Sequence, residues 1–313
     1  MKKHIFILLF IAAFSVKNFA QLGKSLSQFS GNQMLYNPGY AGTYDILSVN
    51  LSIHRGWVQL PGAPSMISLN GHIPSKNHRN AFGLSLQNEV WGALQGNFIH
   101  GNYAFKVELR SGTLSFGLQA GALVHTVDWD RIEFFRHPED VTIPQDRGRE
   151  TEVKLDVNTG VYYLGHQFYA GFSVMHVTNP KYGTFKIDGT EWFSQMRSHF
   201  IMIGGYNFQI DNKWAIRPEV LLQYIHTMPL SANIGTHLHY MNTYSFGANF
   251  MTGQRGVSFQ ARAMLSHQFR IGYSYDVFYG PINPFQQGSH EVSINYIIPN
   301  VWNNVRTVNL LWL

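Results

Sequence analysis

Leu114-Ser115-Phe116-Gly117-Leu118-Gln119-Ala120-Gly121-Ala122 decides the fold. Leu114, Phe116, Leu118, Ala120 and Ala122 alternate with Ser115, Gly117, Gln119 and Gly121. On a strand, successive side chains point to opposite faces, so this segment has one apolar face and one polar or small one. The same period of two runs through Ile99–Val107, where Ile99, Gly101, Tyr103, Phe105 and Val107 alternate with His100, Asn102, Ala104 and Lys106. It returns in Tyr244–Phe250 and again in Phe269–Val277.

Working outward, the pattern predicts fourteen strands, at 47–55, 65–73, 81–88, 98–107, 113–126, 155–164, 168–177, 198–208, 214–224, 231–240, 244–251, 256–263, 269–277 and 290–298. The number is even, and most of the strands are close to the ~9–11 residues that cross a bilayer at a tilt. With residue 47 on the periplasmic side, inward turns fall at 74–80, 108–112, 165–167, 209–213, 241–243 and 264–268. Outward connections include the two longest, 127–154 and 178–197. Short periplasmic turns with longer outer loops are the asymmetry of outer-membrane barrels.

Composition separates this reading from a soluble sandwich or a lipocalin-like barrel. Charged residues make up 13% of the chain and aromatics 15%. A soluble barrel would put charge outside and grease inside. Here the polar face is Ser, Gly, Asn, Gln and His with isolated charges, which suits an enclosed wet lumen. In hydrocarbon an unpaired backbone group costs several kcal/mol, so the sheet must close on itself. Trp57, Trp91, Trp129, Trp192 and Trp214 fall at or near predicted strand ends, where indole rings favour the lipid–water interface.

The N-terminus carries an export signature: Lys2 and Lys3, then the apolar run Ile5–Phe14, with cleavage expected after Ala20. Removing residues 1–20 takes away three of 23 basic residues, leaving 20 against 18 acidic ones, a formal +2 in place of +5. With no Lys/Arg cluster, the sequence predicts no nucleic-acid partner. The chain has no cysteine, which excludes disulfides, thiolate metal sites and a Cys nucleophile. The domain reading is a signal peptide at 1–20, an N-terminal periplasmic or plug segment at 21–46, an outer-membrane barrel at 47–298, and a C-terminal periplasmic tail at 299–313.

No catalytic, cofactor-binding or metal site is predicted. His237 and His239 share a strand face, but spacing supplies no third ligand. Arg217 and Glu219 share a face of one strand, and Arg262 joins them from another as an ion-pair ladder inside the lumen. Gly101, Gly117 and Gly121 match no phosphate-cradling loop and read as sites of strand bending. The loop 127–154, with Trp129, Phe134 and Phe135, is the candidate surface for an external partner.

Residues 28–42 read QFSGNQMLYNPGYAG, which resembles the opening signature of the PorP/SprF family of Bacteroidetes outer-membrane proteins. The N-P-x-Y-A-G element is matched by Asn37, Pro38, Tyr40, Ala41 and Gly42. The resemblance continues through His54, Arg55 and Trp57, Gly62-Ala63-Pro64, Phe82-Gly83-Leu84, Asp211-Asn212-Lys213-Trp214 and the terminal strand Ser289–Tyr296. The tail and the loop holding Pro138 and Pro144 depart from the family pattern. The resemblance implies a non-enzymatic barrel linked to type IX secretion and gliding motility, which anchors or helps export a large surface adhesin. It also implies a periplasmic peptidoglycan-binding lipoprotein as partner, beside outer-membrane lipid. The competing reading is a channel for hydrophobic or small solutes.

Overall fold

The computed structural model describes residues 26–131, 148–187, 190–226 and 228–298. Its strands are β1 (Leu47–Arg55), β2 (Ser65–Pro74), β3 (Asn80–Trp91), β4 (Leu94–Leu109), β5 (Gly112–Asp128), β6 (Arg149–Gly165), β7 (Phe168–Met175), β8 (Lys181–Ile187), β9 (Thr190–Gln195), β10 (His199–Tyr206), β11 (Phe208–Gln209), β12 (Trp214–Ile225), β13 (Ser231–Tyr240), β14 (Tyr244–Met251), β15 (Gly256–Met264), β16 (Phe269–Phe278) and β17 (Ser289–Ile298). β8 and β9 form a separate two-stranded sheet, and β11 continues β10 along β12. The rest make an up-and-down antiparallel ring. β1 pairs with β17, from Leu47↔Ile298 to Arg55↔His290, and β10 pairs with β12, so no edge is left. The fold is therefore a closed barrel of fourteen strands, each satisfying its backbone groups on both sides.

The alternation sets inside against outside without exception along the central part of β4, from Phe98 to Lys106. Ile99 is 50% exposed while its neighbour His100 is 1% exposed. Tyr103 and Phe105 point outward; Asn102, Ala104 and Lys106 point inward. Phe82, Leu84, Phe116, Leu118, Phe246, Phe259, Ile271 and Tyr273 extend the outer apolar belt, and Ser52, Ser68, Ser85, Gln119, Asn158, Ser258 and Ser274 line the interior. A continuous outer belt of this size is a lipid-facing surface, since soluble monomers do not carry one.

Three outer connections differ from the sequence expectation. β3 and β4 meet in a tight turn at 92–93, where Gly92 adopts φ 57°, in place of an open connection over 89–97. β6 begins at Arg149, and not at 155, because Glu150, Glu152 and Lys154 mask an alternation of Thr151, Val153 and Leu155. Charges are tolerated there because they lie on the half-buried inward face of the strand, opposite the exposed Val153 and Leu155, and Lys154 pairs with Glu152 at 2.9 Å. The 178–197 connection folds into β8–β9, with Tyr182 packed on His125 at the rim, ring centroids 4.0 Å apart.

Pro218 lies inside β12, where a missing N–H would break a ladder. The β10–β12 ladder ends at Gly205↔Glu219, and β11 resumes it at Phe208↔Ile216, so the proline falls in the lapse. Asn207 N–H turns away and donates to Gln167 O at 2.7 Å.

Candidate functional site: the lumenal plug and its seat

Residues 26–46 lie inside the ring as a run of short 3₁₀ turns, and nearly all of them are buried. Asn37 organises the central turn. Its Oδ1 accepts from Gly39 N–H at 2.8 Å, capping the turn Pro38–Tyr40, and Pro38 stands where a missing N–H is harmless. Asn37 Nδ2 donates to Val161 O at 2.9 Å and to Phe172 O at 3.2 Å on β6 and β7. Asn102 Nδ2 on β4 donates to Pro38 O at 3.1 Å. Tyr40 packs edge-on against Tyr162 and His72, with both centroid distances 5.5 Å. Gly42 has φ 70°, donates to His72 Nδ1 and accepts from Lys106 Nζ at 2.8 Å. A Cβ there would collide with Ala81. Asn37, Pro38, Tyr40 and Gly42 thus each contact the wall, and Ala41 is fully buried among them.

The wall is shaped to receive them. A Cβ on Gly117 of β5 would overlap Gly39 N and Pro38 C, and one on Gly160 of β6 would overlap Asn37 Oδ1. On Gly171 of β7 it would come within 2.7 Å of Asn37 Nδ2. Three wall glycines on adjacent strands therefore form a bay for Asn37-Pro38-Gly39. Gly117 was expected to bend its strand; it instead lets backbone approach backbone. Spacing within one strand cannot reveal this, because the bay is assembled across β5, β6 and β7.

The upstream end is anchored on the opposite wall. Ser27 Oγ donates to Asp276 of β16 at 2.6–2.7 Å, and Ser27 N–H donates to Glu291 Oε2 of β17 at 2.8 Å. Asn249 and Gln260 both donate to Ser27 O. Asn32 bonds Ser52 of β1, Tyr162 OH donates to Gln33 Oε1, and Ser173 Oγ donates to Tyr36 O. The segment is tied to strands on both sides of the lumen and bridges it.

Where the plug meets β1, Asp45 receives Lys106 Nζ at 2.5 Å and stands 3.2 Å from His78 Nδ1. Burial raises the Asp45 pKa, but the Lys106 ammonium outweighs it, with His78 adding to the effect, and holds the carboxyl below its ordinary value. A depressed folded pKa stabilises the fold above the ordinary carboxylate range, and that contribution fades as pH falls through the lower folded value. Asp45→Asn is expected to destabilise the barrel at pH 7 by about 1 kcal/mol at this partly wet rim, with the difference closing below pH ~4. Urea unfolding in detergent at both pH values measures it. An equal deficit at the two would refute the latch.

Lumenal charges on the far wall form a second cluster. Glu219 accepts from His237 Nε2 at 2.9 Å, with Arg217 Nε 3.7 Å from its other oxygen. Arg262 does not join that ladder by a direct bond; its Nη2 donates to Ser30 Oγ at 2.9 Å and to Gln260. His237 thus directs a ring nitrogen at Glu219, and its ring lies 6.2 Å from that of His239. No group of three metal-ligating side chains occurs among the described residues. Ser27, Asp276 and His54 meet in an order unlike that of nucleophilic catalysis: the serine bonds the carboxylate directly, and His54 lies 3.9 Å beyond it.

Trp57 and Trp129 stand at the opposite, outer rim. Trp57 follows β1 with φ 40° and packs edge-on against Phe278, and Trp129 N–H donates to Gly148 O at 3.0 Å. Phe134 and Phe135 lie outside the described residues, as do residues 1–20, expected to be a signal peptide, and residues 299–313, expected to be a tail.

A closed, lipid-belted cylinder with a polar interior defines an outer-membrane β-barrel. Its fold is shared with the CymD monoaromatic hydrocarbon channel (TM-score 0.53, 11% identity, covering 88% of this chain and 94% of that one). It is shared as well with the Ralstonia pickettii toluene transporter TbuX (TM-score 0.55, 11% identity, covering 91% and 99%). No curated protein matches the sequence. The family described as Type IX secretion system membrane protein PorP/SprF matches residues 18–296, and the chain belongs to it.

Proposed function

We propose that this outer-membrane barrel is a plugged mount for type IX secretion, which holds or helps export a large surface adhesin on its outer loops. Its periplasmic face would dock a peptidoglycan-binding lipoprotein. The observation that carries this reading is the lumen bridged by the chain's own residues 26–46, seated by backbone-level contacts on β5–β7 and by two carboxylates on β16–β17. A barrel bridged in this way presents its rims and not a conduit. The outer rim offers the larger surface, with Trp57, Trp129 and the hairpin β8–β9. No reaction is part of this reading.

Deleting the gene is expected to remove the adhesin from the cell surface and to stop gliding; unchanged surface protein and motility would end the proposal. A solute channel has in its favour the fold shared with CymD and TbuX. Against it, the apolar part of the lumen wall, including Tyr162, Ile201, Ile203 and Leu221, is already covered by Leu26, Phe29, Met34 and Tyr36 of the chain's own plug.

A further inference from the structure

The plug does not fill the periplasmic end of the lumen. Between it and the wall a vestibule with a cavity volume of about 70 Å³ remains, several times what a single water needs and enough for a small ion. Arg217 of β12, His239 of β13, Arg262 of β15 and Arg270 of β16 all line it. No carboxylate does so among the described residues; the other polar walls are hydroxyls, amides and His72. Glu219, the acid next to Arg217, already accepts from His237.

The cluster also holds unpaired polar atoms, two on guanidiniums and one a histidine ring nitrogen. Arg262 spends Nη2 on Ser30 and Gln260, but its Nε is buried with no hydrogen-bond partner among the described residues. Arg270 Nη1 and His239 Nε2 are buried in the same condition, and His239 is only 8% exposed. A buried cationic donor without a partner is costly, and a guanidinium fork matches the oxygens of phosphate or carboxylate. The attraction is stronger in a lumen than in open water, because the low-dielectric wall screens poorly.

We propose that this vestibule binds a small molecule bearing an oxyanion, phosphate or carboxylate, held by Arg262, Arg270 and His239 from the periplasmic side. The site is separate from the outer rim and does not depend on the mounting role. Calorimetric titration of the purified, detergent-solubilised barrel tests it, with sodium phosphate and sodium acetate as probes and sodium chloride at equal ionic strength as blank. Saturable binding of phosphate alone assigns a phosphate ligand, and binding of acetate alone a carboxylate. Arg270→Gln is expected to weaken that binding at least tenfold. Arg110→Gln, an exposed arginine in the β4–β5 turn away from the vestibule, is expected to leave it unchanged. Binding of neither probe, or undiminished binding in Arg270→Gln, overturns the proposal. Should Arg270→Gln fail to fold, Arg270→Lys decides: it keeps the charge and loses the fork, so a severalfold weakening supports the site and unchanged binding refutes it.

Discussion

Gly117→Leu opens the barrel. In planar bilayers the native protein is expected to show no steady conductance, and the variant to show resolved channel steps. The inward face of Gly117 is where Gly39 N and Pro38 C touch the wall, so even a Cβ has no room. The wall is a closed hydrogen-bonded ring and cannot yield, whereas the plug is held by side-chain bonds and can leave. Overpacking of this kind costs about 1–3 kcal/mol, and displacing the turn also strands Asn37 and Asn102 without their partners. Gly101→Leu is the control, since Gly101 faces outward and a Cβ there meets nothing closer than Ala120 O at 3.9 Å. A silent Gly117→Leu barrel with native stability would show that the bay does not seat the plug.

Glu219→Ala has the largest expected effect on stability. It removes the carboxylate that faces Arg217 and accepts from His237, leaving a guanidinium that is 2% exposed without its counter-charge. Breaking one side of a buried pair costs about 3–5 kcal/mol, whereas replacing both partners is far milder. The double change Arg217→Met with Glu219→Ala is therefore expected to recover most of the loss, read as urea midpoints in detergent. If the double variant were no better than the single, the buried pair would not be the source of the effect.

The ring was legible because burial on each strand follows a period of two, and a period can be seen locally. Ile99 against His100, and Phe116 against Ser115, separate outside from inside with no knowledge of the partner strands. The reading weakened where that contrast faded. Glu150, Glu152 and Lys154 put a charge at every inward position, so the start of β6 resembled a loop, and β8 pairs only with β9. The candidate site was half legible. The N-P-x-Y-A-G element stood out as a motif, but nothing in it says that Asn37 reaches Val161 and Phe172, more than a hundred residues away. Asp276 and Glu291 gave no signal as anchors, because each looks like any lumenal polar residue until Ser27 is brought against it.

The sequence by itself determined that this protein is a membrane cylinder, since alternation of grease and polarity is a property of neighbouring residues and dictates which solvent each face meets. Only the tertiary structure decided what the cylinder holds. Gly117, Gly160 and Gly171 become a seat, and Arg217, Arg262 and Arg270 a common vestibule, because ring closure brings separate strands to one height around a shared interior. Side chains that converge in this way carry no mark of it along the chain.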